Sequence, residues 1–153
     1  MTLKFRAATA ADLGFIIRLL VDDSVTPHGD DPNHPEDPRY LAALAAIDAD
    51  PNQMLRIAEA AGERVGTLQL TFIPGIGRHG SWRCLVEQVH VIPAARNRGY
   101  GGQMMRWAID TARARGCGLV QLTSNKQRRD AHRFYERLGF ARSHEGFKYY
   151  LDS

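Results

Sequence analysis

A mixed α/β layer fold is predicted for this 153-residue chain, with elements in the order β-α-α-β-β-β-α-β-α-β. Three observations predict it. Apolar residues recur at helical spacing in some segments and alternate with polar ones in others. A glycine-rich stretch, Gly99-Tyr100-Gly101-Gly102, directly follows an apolar strand and opens a helix, and open sheets place their ligands at such strand ends. The length, with 44% apolar and 24% charged residues, suits a single domain spanning 1–153 with one core.

Leu3–Ala7 reads as a short first strand. Thr9-Ala10-Ala11-Asp12 supplies an N-cap with an acidic residue three positions on. Leu13, Ile16, Ile17 and Leu20 then fall at i, i+3, i+4 and i+7, one face of an amphipathic helix. Residues 22–38 read as a loop. Pro27, Gly29, Pro32 and Pro35 interrupt any period, and Asp22, Asp23, Asp30, Asp31, Glu36 and Asp37 crowd the segment. Pro38 suits the first turn of a second helix behind Asp37, running to about Ile47.

Asn52–Ala60 and Arg64–Phe72 flank Ala61-Gly62-Glu63 and read as a hairpin. Pro74–Gly80 reads as a loop. Ser81–Val91 carries few polar residues after Arg83 and reads as a central strand covered on both faces. Gly101–Arg115 is predicted as a helix with Met105, Ala108, Ile109 and Ala112 inward and Gly116 as its stop. Leu119–Thr123 reads as a buried strand. Ala131, Phe134, Tyr135 and Leu138 form a further helical stripe closed by Gly139, and Phe147–Leu151 reads as a final strand.

Several classes are excluded. No run of about 18 apolar residues marks a membrane span, and Met1 is followed by polar residues and not by a signal-peptide core, so a cytoplasmic protein is expected. Cys84 and Cys117 are too few for a disulfide framework and lack metal-site spacing, so both read as buried thiols. His28, His34, His79 and His144 show no metal-ligand spacing, and no metal is expected. Residues 1–77 hold 6 Lys/Arg against 11 Asp/Glu, and residues 78–153 hold 14 against 6, a net −5 followed by +8. The basic half suits a polyphosphate ligand. Its arginines are dispersed, with no aromatic base-stacking motif, which argues against nucleic acid.

The glycine stretch has an anion-binding chemistry of its own. The first N–H groups of a helix have no intrahelical partner, and the positive end of the helix dipole lies there. Arg96 and Arg98 add charge. A Walker A loop would end in Gly-Lys-Ser/Thr, and the dinucleotide fingerprint would place a third glycine where Gln103 and Met104 stand. Neither fits. The alternative is a glycine-rich connection with no ligand.

The stretch Val89-His90-Val91-Ile92-Pro93, followed by Arg96-Asn97-Arg98-Gly99-Tyr100-Gly101-Gly102, resembles the cofactor loop of the GNAT family of acyl-CoA-dependent N-acetyltransferases. Leu119–Asn125 and Asp130–Phe140, with its Phe-Tyr-x-x-Leu-Gly-Phe element, extend the resemblance over about 70 residues. It implies a central mixed sheet of six to seven strands, splayed between strands 4 and 5, with about four helices on both faces. It implies acetyl-CoA as co-substrate, with acceptor elements in about 1–80 and acetyl-CoA elements in about 81–153. The backbone of Val89 and Val91 would pair with the pantetheine arm. The N–H groups of Asn97, Arg98, Gly99, Tyr100, Gly101 and Gly102 would hold the diphosphate beside Arg96. Asn125 would contact the cofactor, and Tyr135 would protonate the departing thiolate. His132 reads as a surface or cofactor-edge residue. A homodimer is compatible with the family.

Attack of an amine on a thioester needs a neutral amine, a stabilised oxyanion and a leaving thiolate. An alkylamine of pKa about 10.4 is mostly protonated at pH 7, so a base is required. Glu87 is the first candidate: a carboxylate in an apolar central strand, whose burial would raise its pKa. The alternative for Glu87 is an ion pair with a neighbouring arginine. His90 is the second candidate base, on the opposite face if the strand alternates strictly, on another face if it bulges. Tyr135 could instead be a core tyrosine, and Trp82 reads as packing. The acidic loop would attract a cationic amine of a small molecule or protein, or is simply solvated. A CoA-binding regulatory module without turnover and a nucleotide-binding protein are the other readings.

Overall fold

Five strands order as β1-β2-β3-β4-β5 in one mixed sheet, with every pair antiparallel except the last. They are β1 (Lys4–Ala7), β2 (Gln53–Ala60), β3 (Glu63–Ile73), β4 (Trp82–Val91) and β5 (Cys117–Gln121). The helices are α1 (Leu13–Asp22), α2 (Pro38–Ala49), a single turn α3 (Gly77–Gly80), α4 (Tyr100–Ala114) and α5 (Arg129–Arg137). This computed structural model describes residues 2–24 and 28–151; Pro27, one of the four breakers in the acidic loop, lies outside them. The chain divides into two compact units, Met1–Leu122 and Thr123–Ser153.

The local signals act as their chemistry requires. Thr9 N–H donates to the Asp12 carboxylate at 2.8 Å, closing the turn ahead of α1. Asp37 caps α2 by accepting from Arg39 N–H at 2.9 Å, with Pro38 behind it. Ala61 and Gly62, both at positive φ, make the two-residue turn between β2 and β3.

Sheet register decides which face each residue serves. Gly66, Leu68, Leu70 and Phe72 share one face of β3, and α4 covers it with Met104, Met105, Ala108 and Ala112, all buried. Phe5 stacks on Trp107 at 4.5 Å on the same side. The other face carries Ile57 and Thr67, opposite one another, and α1 packs Ile16 onto Ile57. Leu13 and Ile17 of α1 meet Leu44 of α2. Each fully buried Leu or Ile here contributes on the order of 1.5–3 kcal/mol. Among the described residues no helix is long and apolar enough to cross a membrane.

Three expectations need correction. The sheet has five strands, not six to seven. Phe147–Leu151 forms no ladder, because Phe147, Tyr149 and Leu151 are almost wholly exposed and no neighbouring strand supplies partners for their backbone. Among the described residues there are five helices where about four were expected, because a turn closes inside the Pro74–Gly80 loop. Arg78 and His79 adopt left-handed φ of 54° and 58° there. The α4 stripe also extends beyond expectation to Met104, while Ile109 is only half-buried.

Candidate functional site

β4 carries both candidate bases, Glu87 and His90. Opposite β3, Gln69 pairs with Glu87 and Thr67 with His90, so two steps on β3 match three on β4. The extra residue is a bulge at Gln88, whose φ of 53° lies in the left-handed region. Because directly opposed residues share a face, the bulge brings Glu87 and His90 to the same side. Strict alternation would have separated them. Glu87 is exposed, not buried as its apolar neighbours suggested. His90 is buried, at 8% exposure.

His90 Nδ1 lies 2.6 Å from Asp23 Oδ2, at the C-terminal end of α1. The other oxygen, Asp23 Oδ1, accepts from Arg96 Nη2 at 2.6 Å. Arg96 also donates from Nε to Val91 O at 3.4 Å. Arg96, expected at the diphosphate, is therefore engaged with Asp23. The sequence reading did not single out Asp23 from the other carboxylates of its loop. One signal was available: two aspartates, Asp22 and Asp23, close a helix at the negative end of its dipole, where anions are disfavoured.

Parallel pairing of β4 with β5 runs from Trp82 opposite Cys117 to Leu85 opposite Gln121 and stops there. Residues 86–91, including Val89 and Val91, continue past the end of β5. Pro93–Ala95 then forms a 3-10 turn, and Asn97 and Gly99 take left-handed φ of 65° and 78°. Alternating left-handed residues curve the backbone into a concave cradle. Only glycine takes such a φ without steric cost, which accounts for Gly99 at the N-cap of α4. The first intrahelical bond is Gln103 N–H to Gly99 O at 3.1 Å, so the N–H groups of Tyr100, Gly101 and Gly102 precede it. Tyr100 is buried and anchors the turn, while Arg98 is exposed. α4 thus starts one residue before the Gly101 read from the sequence.

In the second unit Tyr135 lies edge-on to Phe134 at 5.2 Å and Phe140 at 6.0 Å. Burial pushes its phenol above the ordinary value, with Arg128 opposing. Such a group stays protonated at neutral pH. Asn125 is exposed; its side-chain oxygen accepts from Gln127 N–H at 2.9 Å, and its carbonyl lies 2.8 Å from His132 Nε2. The Ser124 hydroxyl beside it is buried without a hydrogen-bond partner.

Most of the acidic loop is engaged internally. Asp30 accepts from the Tyr40 hydroxyl at 2.9 Å, Asp31 lies 2.7 Å from His34, and Asp37 pairs with Arg39 at 2.8 Å. Among the described residues, that leaves Asp22 and Glu36 as the carboxylates of the run with no such side-chain partner. Trp82 is 38% exposed and Cys117 only half-buried. No group of three or more His, Cys, Asp or Glu that could hold a metal ion occurs among the described residues.

Residues 14–140 match the profile of the acetyltransferase (GNAT) family. The aminoalkylphosphonate N-acetyltransferase of Salmonella typhimurium is 39% identical over 108 residues, covering 71% of this chain and 70% of that one. A crystal structure described as a transcriptional regulator from Bacillus halodurans superposes with a TM-score of 0.91. It shares 43% identity and covers 97% of this chain and 99% of that chain. A putative acetyltransferase from Agrobacterium tumefaciens gives 0.78 and 30%, with 97% and 99% covered. By these matches, and by the strand, loop and helix that carry them, the chain belongs to the GNAT family of acetyltransferases.

Proposed function

We propose that this protein transfers an acetyl group from acetyl-CoA to the primary amine of a small molecule, by direct attack and without an acyl-enzyme. The observation that carries the proposal is the cradle at Asn97–Gly102, set at the end of a strand whose last six residues have no β5 partner. The fit to a diphosphate is chemical: three N–H groups at a helix start, a left-handed turn that opens the backbone, and Arg98 in solvent beside it. Acetyl-CoA supplies the activated thioester. In this reading the backbone of Val89 and Val91 aligns the pantetheine arm.

His90 accepts the proton from the amine, and the exposed Glu87 on the same face is the second candidate for that task. Tyr135, kept protonated by burial, gives its proton to the leaving thiolate. A thiol of pKa about 8.5 needs only modest help in leaving. The acceptor's name comes from chemistry and kinship. Asp23, Asp30, Asp31 and Asp37 of the loop are engaged within the protein, which weakens the case for a purely cationic acceptor. The Salmonella relative acts on aminoalkylphosphonates, and we place amines that also carry an acidic group first.

The test is turnover of acetyl-CoA across an amine panel that includes 2-aminoethylphosphonate, reading free thiol. Turnover with one amine, lowered about tenfold or more in kcat by Tyr135→Phe, supports the proposal. Coenzyme binding by calorimetry with no turnover for any amine supports instead a CoA-binding regulatory module, the reading favoured by the likeness to the Bacillus halodurans protein. No binding at all rejects both.

A further inference from the structure

The chain from Arg96 through Asp23 to His90 has a purpose beyond holding α1 against the sheet. We propose that Asp23 is the positioning residue of His90: its carboxylate fixes the proton on Nδ1 and leaves Nε2 as the acceptor, while Arg96 fixes the carboxylate. This rests on the reading of His90 as the base.

Four observations carry it. Asp23 Oδ2 is 2.6 Å from Nδ1, and an ionised carboxylate only accepts, so Nδ1 carries the proton. Both partners are nearly excluded from solvent, at 9% and 11% side-chain exposure, which strengthens the bond between them. Asp23 closes α1 at the negative end of its dipole, a placement that helix formation alone disfavours and that the two partners account for.

The fourth is Gln88. Its side-chain oxygen stands 3.3 Å from His90 Nε2 on the exposed crest of the bulge. A carboxamide offers donors at one end and an acceptor at the other, and the two ends exchange by a flip. As placed, the oxygen accepts from a protonated Nε2, and the flipped amide donates its N–H to a bare one. Proton uptake at Nε2 costs no broken partner, as a base requires. The charged groups that surrounding elements bring to His90 are Asp23 from the end of α1 and, through it, Arg96 from the loop after β4. Glu87 shares its strand and face, and β3 brings the uncharged Thr67 and Gln69. Asp23 sets one carboxylate oxygen against the Nδ1 side of His90, and Arg96 holds the other.

The experiment has two arms on the full chain. In the first, 15N-histidine NMR of the wild-type protein reads the His90 tautomer, assigned by its loss in His90→Ala. The expected result is a neutral ring protonated on Nδ1. A ring protonated on Nε2 overturns the proposal whatever the catalytic activity. In the second arm, acetyl transfer to the best amine of the panel is followed against pH. Asp23→Asn is expected to lower kcat about tenfold or more, with KM for acetyl-CoA little changed. Asp23→Glu should restore part of the rate, and adding Asp23→Asn to His90→Ala should cost nothing further. A KM for acetyl-CoA that rises in place of the fall in kcat, or losses that multiply in the double variant, overturns the proposal. If the wild type turns over no amine, the activity reading fails, and the NMR arm still decides the role of Asp23.

Discussion

Glu87 and His90, three positions apart on β4, stand on one face of the sheet because Gln88 between them is squeezed out of the ladder. The bulge gathers a carboxylate and an imidazole that an unbroken strand would hold on opposite faces. The ladder with β3 resumes beyond it, with Thr67 opposite His90 and Gly66 opposite Val91.

Gln88 should therefore be sensitive in a particular way. Its φ of 53° disfavours any side chain and β-branched ones most. Gln88→Val is expected to lower stability by about 1–2 kcal/mol, whereas Gln88→Gly should leave it level or raise it by up to about 1 kcal/mol. Urea denaturation midpoints check both. Equal losses in the two variants would place the cost in lost contacts and not in the backbone.

Gly66 on β3 faces the same region from the other side. A Cβ there would stand 2.6 Å from His90 O and 3.0 Å from Met104 Sδ. The methionine end can shift, but the carbonyl belongs to the central strand. Gly66→Ala is expected to cost about 1–3 kcal/mol and to shift the His90 backbone. Thermal denaturation together with the His90 NMR resonance reads both effects.

Acid should loosen the first unit at Asp12. Arg6 donates to its carboxylate from Nη1 and Nη2 at 2.8 and 2.9 Å, Arg64 adds a contact at 3.3 Å, and Asp12 is buried. The Arg6 bonds lead in lowering the Asp12 pKa from 3.8 to about 2, against desolvation. A depressed folded-state pKa contributes stability above pH 3.8 that disappears as pH falls through 2. The contribution is on the order of 2 kcal/mol at neutral pH. Asp12→Asn should lose about this much at pH 7, and the gap to wild type should close by pH 2. A gap that stays constant with pH would assign the loss to packing.

Thiol chemistry offers a fourth check. Burial pushes the Cys84 thiol up to about 11, and it raises Cys117 as well. The thiolate is the reactive form, so both should react with an aromatic disulfide at pH 8 at least about tenfold slower in the native protein than in urea. Rapid labelling of the native protein would contradict the burial of Cys84. The expected inertness also lets free coenzyme thiol be counted in the turnover assay without interference.

Much was legible in the residues alone. Period-3.6 stripes marked α1, α4 and α5, alternation marked β3, and the order of elements up to α5 followed from them, the single turn α3 apart. The cradle was legible because a helix start preceded by glycine has one chemistry whatever surrounds it. These are local signals, set by neighbours in the chain. Three features were not local. Whether Phe147–Leu151 becomes a strand depends on a partner that no alternation pattern supplies. The face on which Glu87 and His90 meet depends on a bulge, and a single extra residue reverses side-chain direction without altering composition. Asp23 looked like one carboxylate among six, because its partners lie 67 and 73 positions away. Sequence determined the family, the layers and the glycine turn that opens α4; tertiary structure alone decided which charge answers His90, since only the packing of α1 on β4 brings them within 2.6 Å.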